Sequence, residues 1–170
     1  MLTHLTTKRL TVSSLTEQDA AFIHELLNTK GWLRFIGDRN VHSTEAAIAY
    51  INKVNSSPDV HYWVARLRET SIPIGIITLI KRDYLEYSDI GFAFLPQYSG
   101  KGYAFEAAKA VLSALSSKPQ YATVLATTLP RNTNSIKLLT RLGLRFFREI
   151  EAEGEKLHVY SSSTAPLSGE

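Results

Sequence analysis

The stretch "FAFLPQYSGKGYAFEAAKAVLSAL", residues 92–115, decides how this chain folds. Its opening residues are apolar and aromatic, as a half-buried strand requires, and Pro96 ends them. Gly100 and Gly102 follow, and then Ala104, Ala107, Ala108, Val111, Leu112 and Leu115 recur at spacings of three and four, the period of an amphipathic helix. The segment reads as strand, glycine turn, helix. No Asp, Ser or Asn stands in the obvious capping position, so the first-turn amides lack a side-chain cap. Glycines let a ligand approach the backbone closely, and free N–H groups at the positive end of a helix attract an anion. From spacing alone, a tight turn and a phosphate loop both stand. Two familiar phosphate motifs do not fit: the third glycine of a dinucleotide fingerprint would fall at position 105, which is Phe105, and Gly100-Lys101-Gly102 lacks the Gly-Lys-Ser/Thr ending of a Walker A loop.

Working outward toward the N-terminus, "RLTVSSL" alternates as a strand, and Thr16 and Asp19 have the spacing of a capping box. A helix over about residues 17–28 then buries Phe22, Ile23, Leu26 and Leu27. "GWLRFIGDRNVHS" reads as a loop or broken helix, and Ser43 caps a second helix that buries Ala47, Ile48, Ile51 and Val54. From His61 the pattern changes. "HYWVARLR", "IPIGIITLIKR" and "YSDIGFAFL" are three consecutive strands with short links, which favour an antiparallel meander. Beyond the glycine helix come the strand "ATVLATTL", the helix "NTNSIKLLTRLG" with Gly143 as its stop, and a final strand pair in "LRFFREI" and "KLHVYSS". The order is β-αα-βββ-α-β-α-ββ: an α/β (α+β) single domain over residues 1–161, with a mixed, mostly antiparallel sheet flanked by helices. Residues 162–170, "SSTAPLSGE", read as a flexible tail.

Composition limits the function classes. A chain of 170 residues that is 44% hydrophobic can bury a real core. Its net charge is only +3 and it has no long run of like charges, so no nucleic-acid partner is expected. Without cysteine there is no disulfide framework, thiolate zinc site or Cys nucleophile. His4, His24, His42, His61 and His158 form no i,i+4 pair, so no metal is expected. No stretch of eighteen apolar residues and no signal-like N-terminus is present, and the expectation is a soluble, cytoplasmic protein without a membrane partner.

Gln97-Tyr98-Ser99-Gly100-Lys101-Gly102 matches the Q/R-x-x-G-x-G/A signature of the GNAT N-acetyltransferase superfamily, between strand and helix as that family has it. "TTKRLTVSSLTEQDAAFIHEL", "IPIGIITL" and "NTNSIKLLTRLGL" resemble segments of its RimJ/RimL-like branch, so the resemblance spans about residues 7–160. It implies acetyl-CoA as cosubstrate. Its pyrophosphate would lie on the amides of Ser99, Gly100, Lys101, Gly102, Tyr103 and Ala104, with Gln97 in the signature, and its pantetheine arm would pair with backbone around Phe94 and Leu95. Asn132 would contact the pantetheine or cap its helix, and one backbone amide near Phe94 or Leu95 would meet the thioester oxygen.

The same resemblance supplies candidates for the chemistry. Asp89 stands where the branch usually carries an acidic residue and is the first choice of base, with Glu86 the second; a strand-start carboxylate facing solvent is the competing reading of Asp89. Many family members place a Tyr seven residues after the Asn as general acid, but Leu139 occupies that position, which leaves Ser135 as proton donor. The acceptor wall would come from Trp32, Phe35, Asp38 and Arg39, residues that core packing and a surface ion pair explain equally well. Ser13 replaces a common Arg and Leu144 a common Phe, and the former puts ribosomal-protein specificity in doubt. The expected function is acetyl transfer to a primary amine, either a protein N-terminal α-amine or a small molecule, by a monomer or homodimer; the alternative is a catalytically weak CoA-binding regulatory or scaffold module.

Overall fold

The structure is a computed structural model that describes residues 2–163. Strands β1 (His4–Thr6) and β2 (Leu10–Ser14) lead through a 3-10 turn into helices α1 (Ala20–Leu27), α2 (Lys30–Phe35) and α3 (Thr44–Ser56). Strands β3 (Val60–Leu67), β4 (Pro73–Ile80) and β5 (Asp89–Phe94) form the meander. Helix α4 (Tyr103–Ser116), strand β6 (Leu125–Thr128), helix α5 (Thr133–Arg141) and strands β7 (Arg145–Ala152) and β8 (Glu155–Ser161) complete the chain. All eight strands join one sheet in the order β1-β2-β3-β4-β5-β6-β8-β7.

Two elements go beyond the expected order. β1 is three residues long, too short for a period to reveal it, and it pairs with β2. The first half of the segment read as a loop or broken helix is α2, because the Thr29 hydroxyl accepts the Trp32 amide and so supplies an N-cap. Ser162, expected to begin the tail, is still tied to Val124 by hydrogen bonds in both directions. The rest of that tail, residues 164–170, lies outside the described residues.

The central strands are apolar on both faces because helices cover both. On β3, Trp63 and Ala65 face α4 and α5 while Val64 faces α1 and α3; on β5, Ile90, Phe92 and Phe94 take the first side and Ala93 and Leu95 the second. The first core includes Ala107, Ala108, Val111 and Leu115 of α4 and Leu139 of α5; the second includes Phe22, Ile23, Leu26 and Ile51. Double-sided burial explains why "IPIGIITLI" is a nearly unbroken apolar run.

Every neighbouring pair is antiparallel except β5 and β6, which run parallel and meet at a single register point, Asp89 opposite Leu125, where Leu125 N donates to Ser88 O at 2.9 Å. Beyond that point the ladder stops. Each of these strands is followed by a helix on the same face, so the N-termini of α4 and α5 both come to the edge where the gap opens.

Candidate active site

Gly102 is the N-cap of α4, in the left-handed region at φ 81°, and no side chain caps the helix. Gly100 is left-handed as well, at φ 76°. The amides of Gly100, Lys101, Gly102, Tyr103 and Ala104 have no acceptor among the described residues, whereas Ser99 N already donates to Pro96 O at 3.1 Å. Ser99 therefore leaves the expected set of amides. The Gln97 side chain does not turn into the loop; its Nε2 lies 3.5 Å from Glu25 Oε1 on α1. Lys101 and Gln97 are exposed.

The loop is held from behind by residues that no local pattern singled out. Arg9 Nη1 donates to Lys101 O at 2.9 Å, and the Arg9 guanidinium lies 4.3 Å over the Tyr103 ring. Glu106, in the first turn of α4, accepts from Arg9 Nε at 2.7 Å, Arg9 N at 2.8 Å and the Thr7 hydroxyl at 2.5 Å. A groove of about 510 Å³ adjoins this strut and is lined by Lys8, Phe105, Lys109 and Arg141 among others. Burial alone would raise the pKa of Glu106, but the Thr7 and Arg9 hydrogen bonds and the Arg9 charge outweigh it and hold the carboxyl below the usual range. A depressed folded pKa means stability that is present above the unfolded value and lost as pH falls through the folded one. Glu106→Gln is therefore expected to lower the melting temperature at neutral pH, and the deficit should shrink when both proteins are melted near about pH 3. A deficit that stays constant over that range would rule out the ionic strut.

On β5 the main chain alternates in direction. Leu95 N donates to Ile74 O at 2.8 Å and Leu95 O accepts from Tyr98 N, while Ser88 O faces β6. Odd-numbered residues thus turn toward β4, and Ile90, Phe92 and Phe94 turn their peptide groups toward the gap. Leu95 is corrected on this ground: both its backbone groups are spent and its side chain is in the core. Phe94 keeps the expected exposure to the gap, and Phe92 joins it.

Both candidate carboxylates take part in ion pairs. Asp89 is 4% exposed, and its oxygens accept Arg82 Nε at 2.6 Å, Thr127 N at 3.1 Å and Thr127 Oγ1 at 3.0 Å. Burial pushes its carboxyl above the usual range, and Arg82 and Thr127 offset only part of that rise. All three contacts come from donor groups, which suits the ionised form. Glu86 accepts Arg148 Nη2 at 2.9 Å, in the segment before β5 and so at the closed end of the gap. Asp89 is spent on three donors, while Glu86 gives one oxygen to Arg148 and keeps Oε1 buried without a hydrogen-bond partner among the described residues.

Asn132 caps α5, its Oδ1 accepting Ser135 N at 3.2 Å. The half-buried Ser135 hydroxyl is thus in the first turn of the helix that follows β6. Leu139 is 1% exposed and belongs to the core, so at this position the chain has packing in place of a hydroxyl. In the helical layer, Trp32 is 5% exposed, and its indole Nε1 is buried without a partner among the described residues. Phe35 is half-buried under the Arg34 guanidinium. Asp38 does not pair with Arg39; its Oδ1 accepts Asn40 N at 2.7 Å and lies 3.8 Å from His42 Nε2. Sequence reasoning missed a nearby hydroxyl pair, Tyr50 and Tyr62, whose oxygens are 2.9 Å apart. Burial, then Tyr50, raises the Tyr62 pKa, and Arg39 and Arg82 partly oppose the rise. Among the described residues no cluster of His, Asp or Glu could hold a metal, and no helix is long and apolar enough to cross a membrane.

Residues 9–145 match the family model described as an acetyltransferase (GNAT) domain. The chain belongs to the GNAT acetyltransferase family. YnaD of Bacillus subtilis, named an uncharacterized N-acetyltransferase, is 30% identical over 156 residues, covering 90% of this chain and 91% of its own. Among solved structures, a GNAT-family acetyltransferase from Bacillus anthracis superposes with a TM-score of 0.78 at 24% identity, covering 93% of this chain and 96% of that one. RimL, a ribosomal L7/L12 alpha-N-protein acetyltransferase solved in complex with coenzyme A, superposes with a TM-score of 0.79 at 14% identity, covering 92% and 95%. This GNAT chain is therefore an acyltransferase of a family that uses acetyl-CoA.

Proposed function

We propose that this GNAT enzyme transfers an acetyl group from acetyl-CoA to a primary amine, on a protein N-terminus or a small molecule, by direct attack on the thioester. The observation that carries this reading is the run of unpartnered amides at residues 100–104, set at the mouth of the β5–β6 gap. Those amides fit a diphosphate, since the helix end supplies positive potential and the glycines remove the side chains that would block approach. Acetyl-CoA supplies the activated acyl group.

The chain's own residues then position and discharge. The gap-facing peptide groups of Phe92 and Phe94 hold the arm as an added strand would, and one N–H there receives the thioester oxygen as it gains charge. Asn132 fixes the start of α5, and the Ser135 hydroxyl, directly or through water, passes a proton to the leaving thiolate and is reprotonated from the water that took the amine proton. With Asp89 and Glu86 both in ion pairs, water removes the amine proton; an α-amine with a pKa near about 8 is already partly neutral. Trp32, Phe35 and Arg39 with Tyr50 and Tyr62 form the acceptor wall. The names of YnaD and RimL, both N-acetyltransferases, support an amine as acceptor.

A thiol-release assay with acetyl-CoA over N-terminal peptides and small amines tests this. At least one acceptor is expected to raise release well above hydrolysis, and Ser135→Ala to slow that turnover at least about tenfold with CoA affinity kept. A broad panel without release from protein that binds acetyl-CoA would overturn the proposal.

A further inference from the structure

The parallel ladder between β5 and β6 stops after one pair, and the β6 amide that would extend it has another acceptor. With Leu125 N on Ser88 O, a continuing ladder would send Thr127 N to Ile90 O and Phe92 N to Thr127 O. That second bridge is absent. Thr127 N donates instead to Asp89 Oδ1, and the Thr127 hydroxyl donates to Oδ2. Arg82, in the turn before β5, takes Oδ2 from the other side and fixes the carboxylate in a buried position. The side chain of one strand has thus intercepted the amide that would have joined the strands one step further on. Ile90 O and Phe92 N are left facing the gap.

We propose that Asp89 is a positioning residue: its carboxylate captures the Thr127 amide, ends the β5–β6 ladder and so keeps open the cleft that receives the pantetheine arm of acetyl-CoA. The functional half rests on the amine-acetylation reading above, while the structural half stands on the hydrogen bonds alone. This role also accounts for an acidic residue at the start of the strand without asking it to reach the amine.

Two double variants, each free of a buried unpaired charge, test the role. Arg82→Met with Asp89→Asn keeps an acceptor for Thr127 N, and its amide can donate to the Thr127 hydroxyl; Arg82→Met with Asp89→Leu removes the acceptor. CoA affinity by calorimetry and hydrogen exchange of the Phe92 amide by NMR, without ligand, are the readouts. The asparagine pair should bind CoA within about threefold of wild type, and the leucine pair at least about 30-fold more weakly. In the leucine pair the Phe92 amide should exchange at least about tenfold more slowly, because it now donates to Thr127 O. A leucine pair with wild-type CoA affinity and fast Phe92 exchange overturns the proposal. An asparagine pair that keeps CoA affinity but loses turnover about a hundredfold overturns it too, by restoring the role of base. Should the leucine pair not fold, the asparagine pair decides alone: slowed Phe92 exchange despite a retained acceptor refutes the capture. If wild-type protein fails to bind CoA, the acetylation reading falls, and Phe92 exchange still decides the structural claim.

Discussion

Gly102→Val is expected to weaken CoA binding at least about 50-fold, which corresponds to roughly 2.3 kcal/mol. Two effects combine. Gly102 has φ 81°, where a β-branched residue is strained by roughly 1–2 kcal/mol, and relief of that strain would rotate the first peptide of α4 out of line. A Cβ there would also stand 3.4 Å from Arg9 Nη2, so the valine branches have to push Arg9 aside or cover the Tyr103 amide. Gly100→Ala separates the two, since Gly100 shares the left-handed backbone, at φ 76°, but a Cβ added there meets nothing within 4 Å. Thermal melting should register strain in both variants, and calorimetry should show a clearly larger affinity loss in Gly102→Val than in Gly100→Ala. Unchanged CoA affinity in Gly102→Val would remove the glycine loop from the cofactor site.

Arg82→Ala should destabilise the fold by about 3 kcal/mol, the lower part of the range for breaking a buried pair. Removing Arg82 leaves the Asp89 carboxylate inside the sheet with only Thr127 to satisfy it. The lower figure applies because the Arg82 side chain is 31% exposed and water can enter where it stood. For a domain of this size such a loss lowers the melting temperature by roughly 6–12 °C. The Arg82→Met, Asp89→Leu pair should recover most of that stability, because exchanging both ions for apolar groups of similar volume is close to neutral. Loss of stability in that pair equal to the single variant's would show that the charges themselves are not the source of the effect.

The α4 stripe was legible in the sequence. Ala107, Ala108, Val111 and Leu115 are buried at the predicted spacing, and the glycine pair does shape an uncapped helix start. Leu144, where the family often has Phe, lies in the core, so that departure is one of packing. The carboxylates were not legible. Asp89 stands at a promising position in the chain, yet its partners are Arg82 seven residues away and Thr127 thirty-eight away. Arg9 and Glu106, which brace the loop, are ninety-seven residues apart, and neither belongs to a recognisable motif.

By itself the sequence determined every element but β1 and the short α2, together with the glycine loop and the family resemblance, because each is carried by neighbours along the chain through helical or strand periodicity and turn chemistry. Tertiary structure decided which groups are free to act. Leu95 and Phe94 are adjacent in sequence, but strand direction spends the amide of one on Ile74 and turns the peptide of the other toward the gap. The Asp89 carboxylate accepts a β6 amide because parallel register brought that amide within its reach. Hydrogen-bond capacity is consumed by whatever folding brings close, and that depends on pairing between segments far apart in the chain.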